Sequence, residues 1–433
     1  RSSLKNPMLM NSSLHLQLCW SRWMPELKKT IDNVGGFTVA GIHAGLKADG
    51  ERDMALVVAD TDCISACVFT KNRVKAAPVL VNMQHLEASA EKMRAVVINT
   101  KSANAATGEK GMHDAQKMAS LVADQMGCDV QQVFVMSTGV IGAPLPMPKI
   151  EAGINKAHTE LAHDWESAAD AIRTTDIYPK LASFTVTAEQ GDYTVAGITK
   201  GAGMIAPNMA TMLGVLVTDA KFTSAEQAQR LLTQTANLSY NRIVVDGDTS
   251  TNDMVTLMGS GASGVEITTE ADEAQFSEAL TQVATYLAQQ VVRDGEGASK
   301  FITINVQGAE STADAEKIAH TIAASPLVKT AFYGNDANWG RMVAAAGRAG
   351  IPFDATKLSL WMQVSEQSIE NNRGLLLFEA GAKADYDEAE ATAIIKHTDI
   401  TVTLDLNVGD GQAIVWTCDL THEYVSINAD YRT

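Results

Sequence analysis

The sequence predicts a mixed α/β protein whose last third forms a separate domain. Three observations predict it. Short apolar runs of β type at residues 54–59 (MALVVA), 95–98 (AVVI) and 133–136 (VFVM) end at polar or glycine turns. Helical patterns alternate with them, and further alternating strands at 400–406 (ITVTLDL) and 413–419 (AIVWTCD) arrive late in the chain. Among the helices, residues 113–126 set Ala115, Met118, Ala119, Val122 and Met126 on one face at the 3.6-residue period. A longer helix, about 273–292, is rich in Ala, Leu and Gln and is halted by Asp294-Gly295.

At about 150 residues per domain, 433 residues hold two or three domains. A chain that is 46% apolar and 20% charged folds around substantial cores. Its 34 Lys and Arg against 51 Asp and Glu leave a net charge of −17, which excludes nucleic acid or an anionic membrane as the main partner. No apolar run reaches the roughly 18 residues that span a bilayer. Five scattered cysteines suit a reducing compartment rather than a disulfide scaffold. Cys63 and Cys67 lack a second Cys or His pair at zinc spacing, so they are expected as buried core thiols and no metal site is expected.

The opening RSSLKNPMLMNSSLHLQLCWSRW differs from everything after it, with no acidic residue before Glu26. Residue 1 is not Met, and Met24 opens a plausible start, so residues 1–29 are expected to be an extension outside the fold. An organellar transit peptide is the second reading.

Chemistry points first to residues 200–214, KGAGMIAPNMATMLG, entered from a strand-like run at 193–199. Gly201-x-Gly203-x-x-Ala206 superficially fits a dinucleotide fingerprint, but Pro207 and Asn208 interrupt the helix that such a motif needs. What remains is a glycine-rich bend feeding Thr211 at the mouth of a strand, 212–218. An N-to-O acyl shift at Ala210-Thr211, followed by hydrolysis, would cut the chain there. Thr211 would then own a nucleophilic hydroxyl and a free α-amine, whose reference pKa of about 7.7–8.0 suits a general base. The dipeptide alone equally describes an ordinary threonine at a strand start.

Two further stretches add donors and charge. Ser137-Thr138-Gly139 at a strand end can offer a hydroxyl and N–H groups to an oxyanion, or be a simple turn. Glu296, between Gly295 and Gly297, is a carboxylate free to meet a substrate ammonium, or part of a helix end. The Asn-rich stretches 99–108, 246–253 and 334–341 are expected as turns, and Asp246, Asp248 and Asp253 lack the downstream Glu of an EF-hand.

The stretch KGAGMIAPNMATMLGVLVTDA resembles the self-cleavage segment of the bifunctional ornithine acetyltransferase/N-acetylglutamate synthase family of arginine biosynthesis. AGIHAGLK, FTKNRVKAAPV, STGVIG, TTDIYPK, DGDTSTND, VRDGEGASK, GNDANWGR and the terminal INADYRT follow in the family's order, from about Gly35 to Thr433. One departure is Lys101, where the family often has Gly.

The resemblance implies a layered α/β sandwich of the self-cleaving aminopeptidase/ornithine acetyltransferase type with a smaller α+β C-terminal domain. Residues 30–300 would be catalytic, cut between Ala210 and Thr211, and residues 301–433 would add substrate contacts. Thr211 would carry acetyl from N-acetyl-L-ornithine to L-glutamate, with Thr138 and Gly139 as the oxyanion hole. Substrate contacts would fall on Thr174 (or its neighbour Thr175), Lys200, Thr211, Glu296, Asn428 and Thr433. In charge terms Lys200 suits a substrate carboxylate and Glu296 the ornithine ammonium. No cofactor is implied, although some members also use acetyl-CoA as a co-substrate. The α and β chains would pair as an α2β2 heterotetramer, cytoplasmic unless the first 29 residues target an organelle. Two alternatives differ in kind: a related aminopeptidase or amidase that passes its acyl group to water, and an uncleaved, non-catalytic binding protein.

Overall fold

The computed structural model describes residues 27–48, 50–206, 212–365 and 373–430. Ala210, Thr211 and Thr433, and most of the 1–29 stretch, lie outside the described residues.

Strands β1 (Phe37–Ile42), β2 (Met54–Phe69), β3 (Met93–Asn99), β4 (Val133–Ser137), β5 (Lys180–Ala188), β6 (Gly191–Lys200), β7 (Leu213–Thr218), β8 (Ile243–Val244) and β9 (Met254–Gly259) come from the first two thirds of the chain. All but β8 join one eight-stranded sheet, in the order β4-β3-β2-β9-β7-β6-β5 with β1 beside β2. The sheet folds over along β2. Its first half, Met54 to Ala59, pairs with β1 and β3, and its second half, Ile64 to Phe69, pairs with β9. The run expected at 54–59 therefore continues for ten further residues. Exposed Asp60, Thr61 and Asp62 hide this in sequence, because they cross the solvent-facing fold line between the halves.

Alternation along β2 builds the layers. Ala55, Val57 and Ala59 point into the core between the sheet halves, together with Ile198, Val215 and Met258 from the other half. Met54, Leu56 and Val58 point the other way, onto Met118, Val122 and Ile154 of the helices Gly108–Met126 and Met147–Thr159. The far face of the second half buries Val195, Leu216 and Leu257 under the helices Ala225–Leu238 and Glu270–Arg293. Helix, sheet, sheet, helix is the layered α/β sandwich that the sequence led us to expect.

Helix ends lie further out than their apolar faces suggest. Gly108–Met126 starts five residues before its periodic stretch, since polar Glu109 and Lys110 precede the buried face. Glu270–Arg293 starts at a Thr269/Asp272 capping box and has Asp294 as its C-cap. Lys28, within the stretch expected as an extension, takes part in the fold. Lys28 exchanges backbone hydrogen bonds of 2.9 and 3.0 Å with Ser183, because β5 is an edge strand with unpaired backbone groups.

The second sheet comprises β10 (Phe301–Ala309), β11 (Ser359–Val364), β12 (Leu375–Glu379), β13 (Ala382–Lys383), β14 (Asp399–Asp405) and β15 (Gly411–Cys418). Its order is β13-β12-β11-β14-β10-β15-β8, so its last edge, β8, comes from before residue 301. Ile302, Ile304 and Val306 bury one face beneath helix Thr312–Ala323, and the alternate residues stay half-exposed. Cys63 and Cys67 are buried in β2, and burial pushes the Cys63 thiol up to about 12.

His320, on that covering helix, is pulled down to about 4, first by burial and then by the Arg242 guanidinium. The unfolded chain, with a histidine pKa of about 6.5, therefore takes up the proton first. Stability from this group is complete above about pH 6.5 and declines as pH falls toward 4. His320→Gln should shallow the fall in Tm between pH 6.5 and 4.5. A slope as steep as that of the wild type would contradict this account.

Candidate active site

β6 and β7 are antiparallel neighbours, with Lys200 opposite Leu213. The chain between them starts as a bend, 201–206, held from three sides. Asp176 accepts the Gly201 N–H at 2.6 Å, and Asp246 accepts those of Met204 and Ile205 at 2.6 and 2.9 Å. The Glu296 N–H donates to the Ala202 carbonyl at 2.8 Å. No helix begins at Gly201 or Gly203, as a dinucleotide site would require. A Cβ at Gly203 would lie 2.5 Å from the Glu296 carboxylate, so any larger residue there would displace that side chain. Met204 is forced to a φ of 58°, a left-handed backbone that the Asp246 clamp maintains.

The Thr138-Gly139 corner follows β4 directly. Val140 donates to the Lys101 carbonyl at 3.1 Å, and Thr138 donates to Asn99 at 3.0 Å. Gly139 has a φ of 133°, and a Cβ there would meet Lys101 backbone atoms at 2.3–2.6 Å. Among the described residues its N–H has no hydrogen-bond acceptor. Lys101 itself sits at φ 71°, so a lysine occupies backbone space that favours glycine. The Asn-rich stretches do more than turn. Asn252 donates to the Ala103 and Ser137 carbonyls at 2.6 and 2.8 Å, and Ser137 donates to Asn99 at 2.6 Å. These bonds knit loops far apart in sequence behind the corner.

Lys200 joins the two sides. Its Nζ, only 8% of the residue being exposed, donates to Thr174 Oγ1 at 2.7 Å and to Thr138 Oγ1 at 3.4 Å. Of the two adjacent threonines, it is Thr174 whose hydroxyl meets Lys200. With its oxygen accepting, the Thr138 hydroxyl keeps its own proton to donate. Burial lowers the Lys200 pKa, opposed chiefly by Asp176, 3.8 Å away, with Glu296 and Asp253 also raising it. For Asp176, burial alone would raise the carboxyl. The Lys200 and Lys180 ammonium groups and the hydrogen bonds outweigh it and hold the group well below the usual carboxylate range.

Glu296 closes the other side. Its Oε2 accepts from Asn428 at 2.7 Å, and Asn428 belongs to the C-terminal helix His422–Asp430. Tyr424 on the same helix donates to Asp246 at 3.2 Å, tying it to the clamp of the bend. Thus Thr138, Gly139, Thr174, Lys200, Glu296 and Asn428, spread over 290 residues of sequence, converge around one bend.

A family model described as the ArgJ family matches residues 38–433. The chain belongs to the ArgJ family. It is 44% identical over 405 residues to the arginine biosynthesis bifunctional protein ArgJ of Geobacter sulfurreducens, covering 93% of this chain and all of that one. The mitochondrial bifunctional ArgJ of Aspergillus niger is 45% identical over 418 residues, covering 92% of this chain and 91% of its own. A crystal structure of ornithine acetyltransferase from Mycobacterium tuberculosis, complexed with ornithine, is 37% identical over 42% of this chain and 98% of that one, with a TM-score of 0.39.

In this ArgJ family member, sequence reasoning missed Asp176, Lys180, Asp246, Asp294 and Tyr424. Asp176 and Lys180 stand four apart in TTDIYPK, which was a usable signal. The site partners of the others lie more than 40 residues away, although Asp246 also accepts from the nearby Asp248 N–H at 3.2 Å. Asp246 also proves to be a backbone clamp rather than a plain turn residue. A cavity of about 470 Å³ lies elsewhere, between His43, Lys47, Arg52, Lys156 and Arg173.

Gly139→Ala would drive a Cβ into the Lys101 backbone and displace the corner. It is expected to lower acetyl transfer by about 100-fold, the scale of losing one oxyanion donor, while Tm falls only modestly. Transfer within threefold of wild type would reject this geometry.

Proposed function

We propose that this chain is an acyltransferase of arginine biosynthesis that moves acetyl from N-acetyl-L-ornithine to L-glutamate. The observation that carries this reading is Lys200, its ammonium held by two threonine hydroxyls, with the Glu296 carboxylate across the same bend. A cation and an anion around one reaction corner suit amino-acid substrates. Lys200 pairs with the substrate α-carboxylate, and Glu296, aided by Asn428, with the ornithine side-chain ammonium.

Thr211 is the nucleophile in this reading. Its hydroxyl first attacks the Ala210 carbonyl, and water hydrolyses the resulting ester. That leaves a carboxylate on Ala210 and an α-amine on Thr211. In turnover the α-amine takes the hydroxyl proton as Thr211 Oγ attacks the acetyl carbonyl. The Thr138 O–H and the Gly139 N–H stabilise the oxyanion. Ornithine leaves with the proton on its amine, and the glutamate amine then attacks the acetyl ester to give N-acetylglutamate. Thr433, at the chain end, would complete the substrate contacts.

No cofactor is needed for these steps. The cleaved α and β chains would remain associated, pairing as α2β2. No helix among the described residues is long and apolar enough to cross a membrane. Relatives include proteins named as mitochondrial.

Beyond the one equivalent per site released as the acetyl-enzyme forms, purified protein given acetylornithine should release ornithine only in step with acetylglutamate formation. Ornithine release that ignores glutamate and yields free acetate would establish a hydrolase instead. Intact mass should show two chains for the wild type. Thr211→Ala should give one chain and at least a 1,000-fold loss of transfer, on the order expected for a lost nucleophile. A single uncleaved wild-type chain would favour a binding protein. Acetylglutamate made from acetyl-CoA alone would add that donor.

A further inference from the structure

Beside the site lies a charge cluster that none of these steps uses. Lys180, at the start of β5, sits between Asp176 and Asp294, and all three side chains have zero exposure. Burying such ions costs on the order of several kcal/mol each, and an apolar side chain of similar volume often packs as well or better. A fully buried triad therefore calls for a further reason.

Its hydrogen bonds supply one. Asp176 Oδ1 accepts from Lys180 at 2.8 Å and from the Gly201 N–H at 2.6 Å, and Oδ2 accepts from the Thr174 N–H at 3.0 Å. Asp294 accepts from Lys180 and from the Ile177 N–H at 3.0 Å. It is the C-cap of helix Glu270–Arg293, two residues before Glu296. One ammonium thus gathers the three segments that carry Thr174, Lys200 and Glu296.

The charge balance is equally specific. Two ammonium groups, Lys180 and Lys200, lie against Asp176 and Asp294, with Glu296 and Asp253 acting on Lys200 from further off. Asp176 is bonded to Lys180 at 2.8 Å but stands 3.8 Å from Lys200, too far for a hydrogen bond. Lys200 instead spends two of its three protons on Thr174 and Thr138, leaving one for a ligand.

Resting on the proposed function, we propose that Lys180 is a positioning residue. By occupying Asp176 it keeps Lys200 on the two threonines and available to the substrate carboxylate. Without the Lys180 charge, Asp176 has only Lys200 to pair with, and Lys200 is drawn off the threonines. Burial raises the Asp294 carboxyl and Lys180 opposes it, so Asp294 too depends on this one ammonium.

Two variants test this, each assayed as matured protein checked by intact mass. Lys180→Met removes the ammonium. Lys180→Met/Asp294→Asn removes one charge of each sign and restores the balance. Both should raise KM for acetylornithine and for glutamate at least about tenfold, with kcat within about threefold, the pattern of lost carboxylate binding. The double variant should recover Tm without recovering KM. If KM returns to normal along with Tm, or if the balanced double variant fails to fold or mature, the triad is structural and the inference falls. Wild-type protein is the control. Absence of acetylglutamate from the wild type would instead overturn the proposed function, and normal KM in Lys180→Met with an active wild type would overturn only this inference.

Discussion

Asp176 makes more of the site than any residue that would touch a substrate. One carboxylate binds the Lys180 ammonium, the Gly201 N–H and the Thr174 N–H, and its charge faces Lys200. Each of these bonds is stronger to an ionised oxygen, and the two lysines beside it help keep the group ionised despite its burial. The interaction is strong because water is excluded, and for the same reason a missing partner would be costly. The start of the glycine-rich bend, the threonine turn and the site lysine therefore take their positions from a single group.

The layers supply what that group requires. Lys200 ends β6, Ser137 ends β4, and Asp294 ends the long helix over the outer face of the sheet. These ends meet because the sheet folds along β2 and stacks its halves through Val57, Ile198 and Val215. The C-terminal helix reaches the same place by polar contacts, Tyr424 to Asp246 and Asn428 to Glu296. None of its residues is buried, and its docking draws on these bonds, on the Thr421 hydroxyl at the Gly297 carbonyl, 2.8 Å away, and on the edge-on contact of His422 with Tyr333. Rigid ends with polar closure hold these groups in fixed relation to one another.

Much of the fold was legible because strand and helix periods are local. The cores of β3, β4 and Glu270–Arg293 were read within a few residues. Where local signals mislead, the cause is tertiary. Asp60, Thr61 and Asp62 look like a turn, yet they lie within β2 where it passes from one half of the sheet to the other. Lys28 looks like leader, yet it completes the hydrogen bonds of an edge strand. The site divides in the same way. Thr138, Gly139, Lys200 and Glu296 stand out in glycine-rich motifs, whereas Asp294 reads as a mere helix stop until Lys180 is seen against it.

By itself, the sequence determined the α/β class and the family through an ordered set of motifs, and it singled out the side chains on which the proposed function rests. Those depend on periodicity and side-chain chemistry, which are properties of short stretches. Only the tertiary structure decided which charges meet. It bonded Lys200 to Thr174, gave Asp176 to Lys180, and set Asn428 on Glu296. Electrostatic pairing depends on distance and burial, and neither is written in sequence when the partners lie more than 100 residues apart, as Lys180 and Asp294 do.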